Sequence, residues 1–386
     1  MTTQNTIRVN ALPAPTWRWL RLNDTAIALP EEVSEALVEA TLPEMEEPAF
    51  TEEEYSRLTG LETGMGAEFQ QYTASAPVDI FRWKAAAGVK IEEPLVARVF
   101  ATEGESTVNR FFFSAEEGSE MTIVMDLTKE TPPDGMDTVS YGANATDPAA
   151  EADTASAPLS VTTDTRIYVH KNAKVRLIQV SRTAEAMASY VDVGAYVEEK
   201  GSLDILQLTL GGRSTFFGIA VDLAGTESHL NIETGFQAGE GQHVDINYVA
   251  RHHGVKTDSN MNVRGVLWKG ASKTWRATVD FLRGCKGARG AEREDVLLLD
   301  EDVVNKTIPL ILCQEEDVEG EHGATIGDLS DDVLLYFRSR GIDDATAYQL
   351  MAKGRLIGCV RQIPDAALRA ELLQELGEEV EAADEE

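Results

Sequence analysis

From Pro77 onward the chain alternates short apolar runs with polar punctuation, at a spacing of about ten residues. Runs such as RIYVHKNAKVRLIQV, ASYVDVGAYVEEKGSLDILQLTLGG and STFFGIAVDLAGTESHLNIETGFQAG read as strands of a few residues, separated by Gly, Asn, Asp and Ser. Strand pairs return roughly every twenty to twenty-five residues. No Cys–Trp–Cys spacing and no regular two-residue hairpin loops mark a sandwich. Imperfect repetition of short strands suits a β-solenoid, whose coils bury their faces only against their neighbours. Periodicity alone leaves sandwich and solenoid both open within a mainly β class.

The flanks read differently. Residues 1–72 carry helix signals: Pro30 and acids open PEEVSEALVEA, and Thr51 is placed to cap TEEEYSRLTG. Trp17 and Trp19 are assigned to core packing. Lys129–Thr165, rich in Pro, Ala, Asp, Ser and Thr, reads as a long surface excursion. In the tail, Ser330 caps LSDDVLLYFRSRGI, with Asp331 and Asp332 in the first turn, Arg338 and Arg340 in the last, and Gly341 as the left-handed stop. Further helices start at Asp343 or Asp344 and at Pro364. Their stripes, among them Leu334, Phe337, Leu350, Leu368 and Leu372, are expected to pack on one another or on the solenoid end. This gives an N-terminal helical segment over 1–75, a β core over 76–327 with the excursion 129–165, and a helical segment with an acidic tail over 328–386.

Composition narrows the function. A formal net charge of −32 repels phosphate backbones and argues against a nucleic-acid partner. No window approaches a membrane span, and the first residues lack the apolar core of a signal peptide. Three cysteines, Cys285, Cys313 and Cys359, make no disulfide framework, so a reducing cytoplasm is the expected setting. There is no GxxxxGK[ST], strand-bound GxGxxG, CxxC, HExxH or GxSxG. The glycine-rich GGRS and RGCKGARGAE lack a phosphate-cradle context and read as turns between coils.

Chemistry concentrates in Glu294–Gly341, the junction between β body and helical tail. Here two apolar strands, Val296–Leu299 and Ile308–Cys313, precede an acidic loop and a lone histidine in EHGATIG. Cys313 and His322 lie nine residues apart among Glu315, Glu316, Asp317, Glu319 and Glu321. A thiol, an imidazole and carboxylates suit a labile Fe(II) or Zn(II) site. A Cys–His nucleophile pair is the competing chemistry, and a strand cysteine followed by a solvated acidic turn is the bland one. His252 and His253 are adjacent on a strand, so they face opposite ways and read as structural or surface residues.

The segments NVRGVLWKGASKTWRATVDFLRGCKGARGAEREDVLLLDEDVVNKTIPLI and EDVEGEHGATIGDLSDDVLLYFRSRGI resemble the SufB/SufD family of iron–sulfur cluster assembly scaffolds, over about Pro77 to Gly377. The resemblance implies a right-handed parallel β-helix flanked by N- and C-terminal α-helical segments. It implies a SufB-type partner joined through the β-helix ends, where Leu298 and Leu310 are the candidate contacts, and a SufC-type ABC ATPase gripping Tyr336, Phe337, Arg338, Ser339, Arg340 and Gly341. It implies that His322, in the HGAT motif, holds iron or a transient iron–sulfur cluster at the junction, with Cys313 as an outside candidate, and that this chain binds no nucleotide. Glu294 and Gly323 stand where SufB-type chains carry a cysteine and a glutamate, which resembles the SufD branch, a non-catalytic subunit. Two rivals stay open: a β-helix carbohydrate-active enzyme, and a homo-oligomeric, for instance homodimeric, scaffold without a metal role.

Overall fold

A computed structural model describes residues 6–16, 18–43, 49–101, 104–129 and 158–378. The chain begins with strands β1 (Thr6–Val9), β2 (Thr25–Ala28) and β3 (Leu37–Thr41), then helices α1 (Glu52–Gly60) and α2 (Ala67–Ser75). There follow β4 (Ile80–Ala85), β5 (Leu95–Phe100), β6 (Thr107–Ala115), β7 (Glu120–Thr128), β8 (Ser160–Val169), β9 (Lys174–Arg182), β10 (Ala188–Val197) and β11 (Ser202–Thr209). Next come β12 (Ser214–Leu223), β13 (His229–Ala238), β14 (His243–His252), β15 (Asp258–Leu267), β16 (Ser272–Phe281), β17 (Ala288–Leu298), β18 (Val304–Cys313) and β19 (Val318–Gly327). Helices α3 (Asp331–Ser339), α4 (Asp344–Val360) and α5 (Ala366–Glu375) close the described chain.

Strands β4 to β18 of even number form one eight-stranded parallel sheet; β5 to β19 of odd number form the second, extended antiparallel by β3 on β5. Successive strands thus alternate between two sheets, the arrangement of a parallel β-solenoid of about eight turns. The repeat is longer than the apolar pattern suggested. Stacked positions Ser160, Ala188, Ser214, His243, Ser272 and Val304 are 26 to 32 residues apart. Strands β8 to β19 run eight to eleven residues each. Polar residues that interrupt the apolar pattern lie within continuous strands, some outward, as Asp192 and Asp245, and some inward, as Thr165 and Thr234. Inward positions such as Val191, Val193, Phe217, Ile219, Ile246 and Val279 form one apolar interior.

One corner of the solenoid is built from a column of left-handed residues: Asn172, Lys200, Glu227 and Lys256, with φ of 57°, 55°, 57° and 55°. Each of their N–H groups donates at 2.9 Å to a carbonyl of the following coil, those of Glu199, Thr226, Val255 and Lys286. A left-handed non-glycine residue costs roughly 1 kcal/mol, and the repeated inter-coil bond offsets it.

The first fifty residues correct the helical reading. PEEVSEALVEA is not a helix; its end forms β3, where pairing with β5 overrides helix propensity. Thr51 does cap α1, in a reciprocal capping box with Glu54. Trp19 is 73% exposed, not core, and Trp17 lies outside the described residues. The excursion is shorter than expected, because Ser160–Thr165 belong to β8; residues 130–157 lie outside the described set.

The N-terminal segment docks on the outer face of the even-numbered sheet through buried polar contacts. Asn10 and Thr25 donate to the Asp245 carboxylate at 2.8 and 2.6 Å. Arg276 joins the same carboxylate at 2.6 Å. Met65 N–H donates to Asp192 at 2.9 Å, and Arg166 donates to Leu61 O at 2.6 Å. Glycine permits the approach: a Cβ at Gly218 would lie 2.4 Å from the Met65 nitrogen.

Helices α3 and α4 begin as expected, with Ser330 and Asp343 accepting from Val333 and Thr346 N–H, while α5 begins at Ala366, two residues beyond the expected Pro364, with Asp365 accepting from Leu368 N–H. Gly341 adopts φ 78°. They do not cover the solenoid end, however. Helices α4 and α5 lie along the flank of the odd-numbered sheet, where Leu356, Val360, Leu368 and Leu372 pack on Ile178 and Leu208. Arg182, 2% exposed, pins α5 there by pairing with Glu371 at 2.8 Å. Among the described residues no helix is long and apolar enough to cross a membrane.

Burial and the adjacent Asp164 push the Asp192 carboxyl up to about 7. The folded chain therefore holds a proton that the unfolded chain releases near pH 4. The associated stability is present below that pH and is lost as pH rises through about 7. Replacing Asp192→Asn should raise the melting temperature relative to wild type more at pH 8 than at pH 5; a difference that does not grow with pH would refute this.

Candidate functional site at the open end of the solenoid

The last coil ends in two strands with one neighbour each, β18 on β16 and β19 on β17. Val304, Ile311 and Ile326 on these strands are 47%, 39% and 43% exposed. Apolar side chains and free backbone groups on an uncovered strand edge make a template for pairing. EHGATIG lies within β19, and the acidic loop before it is confined to Gln314–Asp317. Strand β17 starts at Ala288, six residues before the EDVLLL run.

Alternation along β17 and β19 sorts their charges. Arg289 and Arg293 point outward and pair with Glu319 and Glu321 at 3.1 and 3.2 Å. Glu292, Glu294 and His322 take the opposite parity and face the interior. His322 stands beside Glu292 in the parallel register. Its Nδ1 lies 3.5 Å from Glu292 Oε2; the imidazole is 29% exposed and the carboxylate fully buried. Neither Glu292 oxygen makes a hydrogen bond of good geometry among the described residues. Burial pushes its carboxyl up to about 8, countered only in part by the Leu310 and Val279 N–H groups.

Next to it sits a fully buried ion pair, Lys273 with Glu294. Lys273 Nζ also donates to Asn305 Oδ1 at 2.9 Å and Thr307 Oγ1 at 3.1 Å, while Thr307 donates to Glu294 at 2.6 Å. Burial pushes Lys273 down to about 8. An interior that holds aliphatic side chains and neutral polar ones such as Gln179, Gln207 and Tyr248 in its middle coils thus gains an ion pair toward its open mouth. Buried charge is costly unless paired, and a perturbed cluster beside an open end is a functional-site candidate.

Sequence reasoning singled out His322 and passed over Glu292 and Lys273. The available signal was parity: in AEREDV, Glu292 and Glu294 share the face of Val296. Cys313 and His322 are not brought together. They lie in different sheets, and His322 is four residues into β19, ~13 Å along the strand from its start. Cys313 is exposed and donates to Glu315 O at 2.9 Å. Among the described residues no group of three or more His, Cys, Asp and Glu is placed to hold a metal. Cys285 and Cys359 are buried thiols pushed up to about 11 by desolvation. His252 is a buried core histidine between Thr257 and Ser259, at 2.7 and 2.8 Å, and His253 faces outward toward Asp222.

The partner-contact candidates separate by position. Leu310 lies half-buried on edge strand β18, whereas Leu298 lies on β17 and packs inward on the main core. On α3, Tyr336 and Leu335 are 54% and 63% exposed, while Phe337 packs partly on Leu329 and Leu334. Arg340 stacks over Tyr336 at 4.8 Å, Arg338 is held by Asp344 at 2.6 Å, and Ser339 donates to Tyr336 O at 2.7 Å.

Residues 98–355 match the SufBD core domain of the SUF system for FeS cluster assembly. That stretch includes the open end, the buried cluster and α3. The chain is 28% identical over 211 residues to an iron–sulfur cluster assembly SufBD family protein of Mycobacterium leprae, covering 54% of this chain and 24% of that one. It is 28% identical over 199 residues to a SufBD family protein of Staphylococcus haemolyticus, covering 51% of this chain and 43% of that one. The matched stretch spans less than half the length of these relatives.

Removing one partner of a buried ion pair strands the other charge and costs roughly 3–5 kcal/mol. Lys273→Met should therefore lower the denaturant midpoint strongly, and Lys273→Met with Glu294→Leu should recover most of the loss. A single variant as stable as wild type would contradict the burial of this pair.

Proposed function

We propose, from the premise that the chain belongs to the SufBD family of SUF-system FeS cluster assembly proteins, that it is a SufD-type scaffold subunit. In this reading it is a non-catalytic cytoplasmic chain that pairs with a SufB-type subunit and a SufC-type ABC ATPase, and carries iron or a nascent cluster as cargo. The observation that carries the reading is the open end, where apolar, edge-exposed β18 and β19 surround an ionisable interior with His322 at its mouth. The SufD assignment is supported by Glu294. A carboxylate locked to Lys273 forms no persulfide, so sulfur is received elsewhere in the complex.

The division into 1–75, 76–327 and 328–386 gives each part a task in this proposal. The N-terminal segment stabilises the flank, the β core presents its last coil to the scaffold partner, and the helices present Leu335, Tyr336 and Arg340 to the ATPase. The ATPase face lies on α3 and is separate from the α4 and α5 surface that holds the flank.

Co-expression with SufB- and SufC-type chains tests the assembly. Leu310→Lys with Ile311→Lys should release the SufB-type chain in size-exclusion chromatography while leaving the ATPase bound. Tyr336→Asp should do the reverse, with ATPase recovery falling about tenfold or more, as for an exposed aromatic anchor. Retention of both partners by both variants would defeat the reading.

His322 supplies an imidazole, a ligand type that suits iron. His322→Ala should leave folding and complex formation unchanged but lower the iron and sulfide recovered with the reconstituted complex. Cys313→Ser should have the smaller effect. Wild-type iron content and cluster absorption in the His322→Ala complex would remove His322 from the site.

A further inference from the structure

We propose that Glu292 and His322 together form a two-ligand site for a divalent transition-metal ion of the Fe(II) class, built wholly from this chain. The inference rests on the reading of His322 as an iron ligand and adds the residue that completes its inner side. Glu292 and His322 are register neighbours on β17 and β19 with side chains on the same inward face. Their facing atoms, Nδ1 and Oε2, are 3.5 Å apart. That is longer than the usual ~2.7–3.2 Å of an N–H···O bond. It matches the edge of about 3.4 Å between two ligands each ~2.1 Å from one tetrahedral ion. The gap is therefore sized for a metal between the two side chains.

The carboxylate also lacks any other counter-charge. Glu292 is fully buried, its only ion-pair contact among the described residues is His322, and its oxygens make no hydrogen bond of good geometry, the Leu310 and Val279 N–H groups offsetting its burial only in part. The neighbouring cations are engaged elsewhere, Lys273 with Glu294 and Arg293 with Glu321. A buried polar group left in this state calls for a partner, and a divalent cation supplies one. The partly exposed imidazole faces the open mouth and gives the ion a route in. Two protein ligands leave the remaining positions to water, or to groups from a partner chain across the open end.

Anaerobic titration of the full-length chain alone with Co(II), an optical stand-in for Fe(II), tests the site. Wild type should bind one Co(II), with a d–d absorption band and a raised melting temperature, as for any ligand that binds only the folded state. Glu292→Gln, a neutral isostere, should weaken binding about tenfold or more and abolish the thermal shift, although the metal-free variant is at least as stable as wild type. If Glu292→Gln fails to fold, Glu292→Asp, which withdraws the carboxylate by one methylene, should change the d–d band. Wild-type affinity and spectrum in the Glu292 variant, with loss in His322→Ala, would overturn the role of Glu292 and leave His322 standing. Retention by both variants would overturn the reading of His322 as well.

Discussion

A parallel solenoid satisfies the backbone of each coil only with the coils above and below it, so its ends pose a problem that its middle does not. This chain treats its two ends differently. At the first coil, the odd-numbered sheet is closed by antiparallel β3. At the last coil, β18 and β19 are left with one neighbour each. The helices that follow turn back along the flank and bury their apolar stripes on the side of the odd-numbered sheet. The open end is thus exposed although fifty residues of folded chain lie downstream of it.

The ionisable interior follows from the same constraint. In the middle coils the sheets carry Val, Ile, Leu and Phe inward, and the inward polar groups Gln179, Gln207, Tyr248 and Thr234 are neutral and bonded to one another. Near an open end the interior borders on solvent or on a partner, so charges there are tolerated when paired. Lys273 and Glu294 meet that condition with Thr307 and Asn305. Glu292 does not, which singles it out within the cluster.

The architecture was legible where local pattern and tertiary outcome agree. Ser330, Asp343 and Gly341 behave as their sequence signals require, because caps are local. Strand recurrence left solenoid and sandwich both open and suggested too short a repeat: polar residues inside β8 and β13 interrupt the apolar pattern, yet the strands run on, with Thr165 and Thr234 turned inward onto Met125 and Tyr248. The N-terminal segment was misread for a different reason. Its strands form only through pairing with distant partners, and Asn10, Thr25 and Met65 become docking residues only once β10, β14 and β16 are in place. In the candidate site the sequence exposed His322, alone in a distinctive motif, and concealed Glu292 inside a charged run that resembles surface.

The two kinds of buried charge have opposite consequences for the molecule. Asp245 is met by His243, Arg276, Thr25 and Asn10, and its carboxyl is held below the ordinary range despite complete burial. It fixes the N-terminal segment in place. Glu292 is equally buried and is met by one imidazole at 3.5 Å. A protein that had only to be stable would gain from an apolar residue there, since replacing buried polar groups by well-packed hydrophobes is often neutral or stabilising. The cost is concentrated at the coil that faces outward, beside the imidazole that has access to the mouth. The solenoid middle therefore acts as a rigid platform, and the imperfectly satisfied last coil is the part shaped by what it meets.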